Sequence, residues 1–146
     1  MGSVQATLVP MRTADSILDE VEEMYDQITR RAYEIFQERG GICTLDLEDW
    51  FAAERELLFK PGVQIEENGK EVIVTVRLGK VNLMGVQLLV TPLAMLIQAE
   101  CGDMAKKVFR TIEFPRRIDV NKAEAKYEDG YLVLTAWREF ARRRLP

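Results

Sequence analysis

The spacing of the apolar residues changes at Pro61, and this change restricts the fold more than any other feature of the sequence. Before residue 61, apolar residues recur every three or four positions, which is typical of helices that pack by one face. After it, they alternate with polar residues, which is typical of half-buried strands. The chain therefore divides into a helical module at residues 1–60, a β module at residues 61–138 and a short basic tail at residues 139–146.

The helical module is predicted to begin with a long helix. Its apolar residues recur at intervals of three and four from about Ser16 to Arg39. The segment Ser16-Ile-Leu-Asp19 has the pattern of a capping box, in which side chains satisfy the free backbone amides of a helix start. Gly40 and Gly41 follow, and glycine readily adopts the left-handed conformation that ends many helices.

A second, shorter helix is predicted from about Asp46 to Lys60, because Pro61 and the glycine after it stop a helix. The two helices then form a hairpin. Their large apolar side chains must be covered by each other, by the β module or by another chain. The contact surface that we expect consists of three aromatic residues: Phe36, Trp50 and Phe51.

The β module is predicted to be an antiparallel sandwich. Apolar residues alternate on both sides of Asn68-Gly69, a pair that commonly supplies the positive backbone angles of a tight hairpin turn. Short strand-like runs follow, separated by proline and glycine turn signals. They span residues 86–90, 93–99, 108–114, 123–127 and 131–137. The expected fold class is therefore mainly β, an antiparallel immunoglobulin-like sandwich with an N-terminal helical hairpin.

The sequence contains no histidine and only two cysteines, which disfavours catalytic and metal-binding functions. Without imidazole, a Ser-His or Cys-His pair and a zinc site of mixed ligands are excluded. Cys43 and Cys101 are isolated, and we interpret them as small apolar residues rather than as a disulfide or a reactive thiol. The acidic runs at residues 20–23 and 46–49 are typical of solvated helix starts. We predict no enzymatic activity, no cofactor and no metal.

Residues 61–138 carry several features in the order typical of one family of β-sandwich domains. An opening strand at residues 63–67 precedes Phe109-Arg-Thr-Ile-Glu-Phe-Pro115, and Ala125-Lys-Tyr-Glu-Asp-Gly130-Tyr-Leu132 completes the set. This order resembles the α-crystallin domain of small heat-shock proteins, and the last segment resembles the A-x-x-x-n-G-x-L signature of that family. Each residue type has a physical reason. Ala125 allows close packing between sheets, Gly130 permits a left-handed turn, and Leu132 fills the core.

The resemblance implies an ATP-independent holdase, a chaperone that binds partly unfolded proteins through apolar surface and prevents their aggregation. The interaction site of the family is a groove between two strands, which correspond here to residues 86–90 and 123–127. The resemblance maps this groove to five residues: Val86, Leu88, Val90, Ala125 and Tyr127. Alternating apolar residues are also typical of a simple sandwich core, and that interpretation stays open for the same residues.

Two departures from the family pattern bear on assembly. The stretch between Glu100 and Phe109 is too short for the longer loop, with an extra strand, that bacterial members exchange with a neighbouring subunit. The tail at residues 139–146 contains no Ile-x-Ile type motif, which in the family plugs the groove of another subunit and builds large assemblies. We therefore expect a homodimer or a small homo-oligomer rather than a large cage.

The helical module resembles a small bacterial helical domain of unknown function that occurs alone or ahead of such sandwiches. The resemblance rests on three segments: Arg31-Ala-Tyr-Glu-Ile-Phe-Gln-Glu-Arg-Gly40, Leu47-Glu-Asp-Trp50 and Ala53-Glu-Arg-Glu-Leu57. It implies no activity for the module.

A holdase is therefore the leading function predicted, with unfolded or partly folded client proteins as its partners. A non-chaperone adaptor that uses the sandwich groove for one specific partner is the alternative, and an enzyme ranks well below both. The sequence has no apolar run of about 18 residues and no N-terminal signal, so we expect a cytoplasmic protein without a membrane partner. The basic run at residues 142–144 lacks interleaved aromatic residues, so we expect no nucleic-acid partner.

Overall fold

The structure is a computed structural model that describes residues 7–41, 47–79, 85–100 and 106–139. Both cysteines, the expected second-helix start at Asp46 and the basic run at residues 142–144 lie outside these ranges. Residues 101–105 of the loop at residues 101–108 also lie outside these ranges. The described chain is mainly β, with two sheets and an N-terminal helical region, so the fold class predicted from the sequence is confirmed.

The described elements follow one another as short strands, then helices, then a run of strands. Their bounds are β1 Thr7–Leu8, β2 Met11–Thr13, α1 Leu18–Glu38, α2 Leu47–Leu57, β3 Leu58–Phe59, β4 Val63–Glu67, β5 Glu71–Arg77, β6 Gln87–Val90, β7 Ala94–Glu100, β8 Lys107–Glu113, β9 Ile118–Glu128 and β10 Tyr131–Arg138. The predicted long helix and the predicted strand runs are all present. The strand expected at residues 123–127 is longer than its pattern indicated, because β9 begins at Ile118.

Two five-stranded sheets form the sandwich. The first sheet has the strand order β1-β9-β10-β5-β4, and the second has the order β2-β6-β7-β8-β3. The long strands pair antiparallel, as predicted. Two short strands pair parallel instead, β2 with β6 and β3 with β8. Strands β1 and β2 precede residue 61, so part of the N-terminal segment belongs to the sheets. The division of the chain at residue 60 into modules stays a prediction.

The main core lies between the two sheets. In β5 and β10, every second side chain is fully buried, which is the pattern of strands with one face on a core. Leu132 and Leu134 of β10 meet Val74 and Val76 of β5 across the ladder that joins these strands. Residues from β6, β7 and β8 close the other side. This core accounts for the buried residues at every second position of β5 and β10.

A second core joins the helices to the outer face of the second sheet. The sheet contributes Leu89, Leu96 and Phe109, which point away from the main core. The helices contribute side chains from one face of α1 and from α2: Met24, Ile28, Ala32 and Ala53. Trp50 packs partly against this core. One face of the helical hairpin is therefore covered by the sandwich of its own chain.

Two local predictions differ from the structure in their details. The first helix ends as expected, with Gly40 at φ 94° and Gly41 at φ 63°. It does not begin with a capping box, because the Ser16 hydroxyl accepts a hydrogen bond from the N–H of Leu18 alone. The hairpin at Asn68 forms without positive φ angles at Asn68 or Gly69. Instead, the Asn68 side chain accepts hydrogen bonds from the backbone N–H groups of Lys70 and Glu71.

Candidate functional site

The five predicted groove residues converge on one side of the sandwich, which we call the seam. It lies between β6 of the second sheet and β9 of the first. Leu88 and Val90 come from β6, Ala125 and Tyr127 from β9, and Val86 directly precedes β6. All five belong to the main core or pack against it, and only Tyr127 is partly exposed among them. The structure thus places the predicted residues together, but it buries four of them.

The seam is covered by the N-terminal segment of the same chain. Residues 7–13, which we call the strap, run along the seam and join both sheets. Strand β1 pairs antiparallel with β9, and β2 pairs parallel with β6. Between them the strap crosses from one sheet to the other at Val9 and Pro10. Without the strap, β6 and β9 would be edge strands with unpaired backbone groups.

Val9 is the residue that ties the strap to the seam. Its side chain is 5% exposed and lies in the main core. Its N–H donates a hydrogen bond of 3.0 Å to the carbonyl oxygen of Ala125. On the other side of the crossing, Met11 lies opposite Leu88 in the parallel pair and is partly buried. After β2, the N–H of Ala14 donates to the carbonyl oxygen of Val90 at 3.1 Å.

Sequence reasoning did not find the strap. The only signal is the short apolar segment Leu8-Val9-Pro10-Met11 ahead of the first helix. Strands of two and three residues are too short to show a period, and their pairing depends on partners more than 70 residues away in the chain. The groove that the resemblance implies is therefore occupied in this structure by residues 7–13.

The signature residues have the structural roles that their types indicate. Ala125 and Leu132 are buried in the main core. Gly130 has φ 85°, and a Cβ at this position would lie 3.5 Å from the Cα of Gly79. The carbonyl oxygen of Gly130 accepts hydrogen bonds from the N–H groups of Leu78 and Gly79, at 3.0 and 2.9 Å. The Tyr127 hydroxyl donates to the carbonyl oxygen of Gly79, so the β9–β10 turn is tied to the end of β5 from two sides.

An exposed aromatic surface lies on the helical hairpin. Trp50 contacts Tyr25 and Phe51, with ring centroids 5.7 and 5.8 Å apart. Tyr25 is 52% exposed and Phe51 is 44% exposed. Leu47 is 70% exposed and lies one turn before Trp50 on the same face of α2. We call Tyr25, Leu47, Trp50 and Phe51 the aromatic surface. Two of its residues, Trp50 and Phe51, belong to the predicted contact surface.

Phe36, the third predicted contact residue, lies in a separate group. Its ring is 5.9 Å from that of Tyr33, and the Arg39 guanidinium lies 5.1 Å from its centroid. A cation over an aromatic face is an attractive arrangement. Phe36 therefore packs at the end of α1 rather than on the aromatic surface.

A pocket of about 200 Å³ adjoins the aromatic surface, between the helices and the second sheet. Tyr25 belongs to both. Apolar side chains from α1 and β8 line the pocket, among them Val21, Met24 and Phe109. Lys60 and Glu54 also line it and form an ion pair of 3.1 Å. The aromatic surface and this pocket therefore adjoin each other through Tyr25 on the helical side of the molecule, and the pocket has both apolar and charged walls.

Charged side chains hold the two helices together. Arg31 of α1 contacts Glu56 of α2, as well as Glu34 and Glu38 of its own helix, at 2.9 to 3.1 Å. These contacts raise the pKa of the Arg31 guanidinium, with the hydrogen bonds to Glu56 as the largest cause. Arg39 of α1 pairs with Asp49 of α2. Both sets join side chains of opposite charge, so their role in the described region is structural.

Neither a metal site nor a membrane helix is found within the described ranges. No three acidic, cysteine or histidine side chains there lie close enough together to hold a metal ion. None of the helices in those ranges has the length and apolar character needed to cross a membrane.

Comparison with known proteins gives two likenesses, one for each part of the chain. A family described as a protein of unknown function, DUF2934, matches residues 23–58. No curated protein matches the sequence. Among solved structures, heat shock protein 16.0 from Schizosaccharomyces pombe has a TM-score of 0.52 and 20% identity, over 66% of this chain and 86% of that one.

Two further solved structures show the same likeness. HSP18.5 from E. histolytica has a TM-score of 0.51 and 9% identity, over 60% of this chain and 96% of that one. The Del-C4 mutant of hsp14.1 from Sulfolobus has a TM-score of 0.50 and 18% identity, over 76% of this chain and 98% of that one. The chain shares the α-crystallin fold of small heat-shock proteins.

Proposed function

We propose that this protein is an ATP-independent holdase that binds partly unfolded proteins and prevents their aggregation. The observation that carries the proposal is an exposed aromatic surface on a protein with the small heat-shock fold. A holdase needs apolar surface that is available in the folded state. Tyr25, Leu47 and Phe51 supply such surface, because each exposes more than two fifths of its area.

The chemistry of the aromatic surface suits varied apolar clients. Aromatic rings offer large contact areas and lose little conformational entropy on binding. The pocket beside Tyr25 adds a recess with apolar walls on one side and the charged residues Glu54 and Lys60 on the other, which suits a client side chain that is partly polar. Two acidic residues of α1, Glu22 and Asp26, lie within three residues of Tyr25 in the sequence, and both are exposed. Their charge keeps a protein with an apolar patch from associating with itself.

The groove residues remain part of the proposal as a second client site. In the described structure the strap covers them, so Tyr127 alone among the five is accessible, and only in part. We therefore assign the first contact with a client to the aromatic surface.

The proposed assembly is a homodimer or a small homo-oligomer in the cytoplasm. Strand β4 supports self-association, since it is an edge strand of the first sheet and exposes Ile65. Multi-angle light scattering of the full chain measures the number of subunits directly. A large assembly of many subunits would contradict this part of the proposal.

The test of the holdase function is aggregation of a heat-denatured client protein, followed by light scattering without nucleotide. The wild-type chain is expected to suppress aggregation at a near-equimolar subunit ratio, whereas an inert protein of similar size does not. The variant Tyr25→Ser with Phe51→Ser is expected to lose most of this suppression. Leu93→Ser is the control, because Leu93 is an apolar residue that is 60% exposed but lies away from the aromatic surface, in the turn between β6 and β7.

Each outcome of this test decides between functions. If the wild-type chain does not suppress aggregation, the holdase proposal is wrong and the adaptor with one specific partner becomes the better explanation. If both variants suppress as well as the wild type, clients bind elsewhere than the aromatic surface.

A further inference from the structure

Four exposed carboxylates border the aromatic surface. They lie within three residues of Tyr25 or Leu47 in the two helices, and we call them the rim: Glu22, Glu23, Asp26 and Glu48. Arg55, the one cation of α2, is exposed one turn after Phe51. The charged residues beside the aromatic surface are therefore mainly acidic.

The rim has no counter-charge within the described part of the chain. None of its four residues takes part in an ion pair there. By contrast, five other carboxylates of the helices each contact a basic residue: Glu34, Glu38, Asp49, Glu54 and Glu56. Glu22 and Asp26 lie four residues apart in α1, a spacing at which like charges destabilise a helix. A cation supplied by a partner would relieve this repulsion.

The rings of the aromatic surface also suit a cation. Lysine and arginine are attracted to the face of an aromatic ring, most strongly to that of tryptophan. Arg39 over Phe36 is an example of this contact within the same hairpin. The rings of Tyr25, Trp50 and Phe51 form a row, with successive centroids 5.7 and 5.8 Å apart. One kind of partner group, a lysine or arginine side chain, therefore suits both the rings and the rim.

A second copy of this chain fits the same surface poorly. Residues 1–60 contain 13 acidic residues and 6 basic ones. Two hairpins that met through their aromatic surfaces would bring two acidic rims together, and like charges across an interface oppose association. The occupant that the charges favour is a segment of another protein that carries both apolar and basic side chains.

We propose that the aromatic surface and its rim select client segments that combine apolar residues with lysine or arginine. This inference rests on the proposed function, because it names the class of client segment that the holdase binds. The apolar side chains of such a segment pack on Tyr25, Leu47 and Phe51, which are exposed. Its cations lie against the rim and the ring faces. The charges supply the selectivity, since segments with equal apolar content differ only in how they meet the rim.

The test compares three fluorescent synthetic peptides that share their apolar residues. Their sequence is Gly-Xaa-Leu-Phe-Xaa-Ala-Leu-Xaa-Gly, where Xaa is lysine, glutamine or glutamate. Fluorescence anisotropy measures their binding to the full chain. At about 50 mM NaCl, the lysine peptide is expected to bind about tenfold more tightly than the glutamine peptide, and the glutamate peptide more weakly than both. About 0.5 M NaCl should remove most of this preference. Equal binding of the three peptides at low salt would overturn the proposal.

Two variants locate the preference on the molecule. Glu22→Lys with Asp26→Lys is expected to lose the preference for lysine, whereas Tyr25→Ser with Phe51→Ser is expected to lose binding of all three peptides. The matched control is Glu124→Lys with Glu128→Lys, which changes the net charge equally at two exposed positions of β9 in the first sheet.

The control is expected to keep the preference of the wild-type chain. If it loses the preference as fully as the rim variant does, the overall charge selects the peptides and the proposal is wrong. Undiminished binding by the Tyr25→Ser and Phe51→Ser variant would likewise overturn it, because the peptides would then bind elsewhere. Circular dichroism of each variant establishes that it is folded.

Aggregation assays with a basic client protein and an acidic one separate this inference from the holdase function. If the wild-type chain prefers the lysine peptide but suppresses the aggregation of neither client, the holdase proposal is wrong and the selectivity of the surface stands. If it suppresses both clients equally and does not distinguish the peptides, the inference is wrong, whereas the holdase function stands.

Discussion

Arg39 at the end of α1 donates two hydrogen bonds to the carboxylate of Asp49 at the start of α2. Its Nε lies 3.0 Å from Oδ1 and its Nη2 lies 2.7 Å from Oδ2. Asp49 is 5% exposed, and it is the only charged residue in the buried set of the described chain. A bidentate pair of this kind fixes the direction of both side chains. The pair therefore fixes the first turn of α2 relative to the end of α1.

Removing the charge of Asp49 is expected to destabilise the protein. Asp49→Asn leaves the Arg39 guanidinium, whose side chain is 36% exposed, without its counter-charge, and the loss of the charged hydrogen bonds costs about 1–3 kcal/mol of unfolding free energy. Urea unfolding followed by circular dichroism measures this loss. Glu48→Gln is the matched control, because it removes the same charge from an exposed neighbour and is expected to change stability by less than about 0.5 kcal/mol. Equal effects of the two substitutions would contradict the structural role of the pair.

The Arg31 cluster is expected to behave differently, because its carboxylates are largely exposed. Its three glutamates, Glu56 first among them, raise the pKa of Arg31, a group that is already charged throughout the pH range of folded proteins. A raised pKa stabilises the folded protein at every pH below the pKa of the same group in the unfolded chain. Arg31 therefore stays charged, and its contribution stays constant, at every pH where the protein is folded. Arg31→Gln should therefore lower the melting temperature slightly at low salt, and about 0.5 M NaCl should remove most of the difference.

The control for this prediction is Arg30→Gln, an exposed position next to Arg31 on α1. Thermal unfolding of both variants at low and high salt gives the comparison. A difference between Arg31→Gln and the wild type that persists in high salt would show that the cluster acts through packing rather than through charge.

Gly130 is expected to tolerate no side chain without cost. Its φ of 85° is strained for any residue with a Cβ, so Gly130→Ala should lower the unfolding free energy by about 1–2 kcal/mol. Gly69→Ala provides a control of opposite sign. Gly69 has no positive φ, and no atom lies within 4 Å of a Cβ placed there. That substitution should be neutral or stabilising by up to about 1 kcal/mol. Urea unfolding distinguishes the two, and a loss at both positions would be inconsistent with this account.

The sequence predicts the long elements of this fold well, because their apolar periods are strong. The 21 residues of α1 carry a helical stripe, and β5 carries valine at every second position. Each pattern reports how one element meets its core, which is a local property. The sequence predicts the position of the hairpin at Asn68 correctly but predicts the wrong backbone conformation. The Asn68 side chain stabilises a turn that has no positive φ angle at Asn68 or Gly69.

The candidate site was predictable only in part. Alternation identifies Leu88 and Ala125 as inward-facing residues, and the resemblance brings them to one seam. Neither can show whether the strand edges there are covered, since that depends on a contact between residues 7–13 and strands far along the chain. The sequence does not indicate that Tyr25 is exposed either, because an apolar residue at helical spacing is usually buried.

The helices and the sandwich are expected to unfold as one unit, because the second core joins them through Leu96 and Phe109. In a Trp137→Phe background, Trp50 is the only tryptophan and its fluorescence reports on the helices, whereas in a Trp50→Phe background Trp137 of β10 reports on the first sheet. The two urea transitions should coincide. Leu96→Ala should shift both by the same amount and cost about 2–4 kcal/mol. Two separated transitions would mean that the helical hairpin folds on its own.

Hydrogen exchange is expected to show that the strap opens before the sandwich does. Burial of one valine contributes about 1.5–3 kcal/mol, which is below the 5–15 kcal/mol that a domain of this size typically requires for global unfolding. The Val9 amide, bonded to Ala125, should therefore exchange much faster than the Leu134 amide within β10. Val9→Ala should speed exchange at Ala14 while leaving Leu134 unchanged. Equal protection of Val9 and Leu134 would mean that the strap leaves the seam only when the whole fold unfolds.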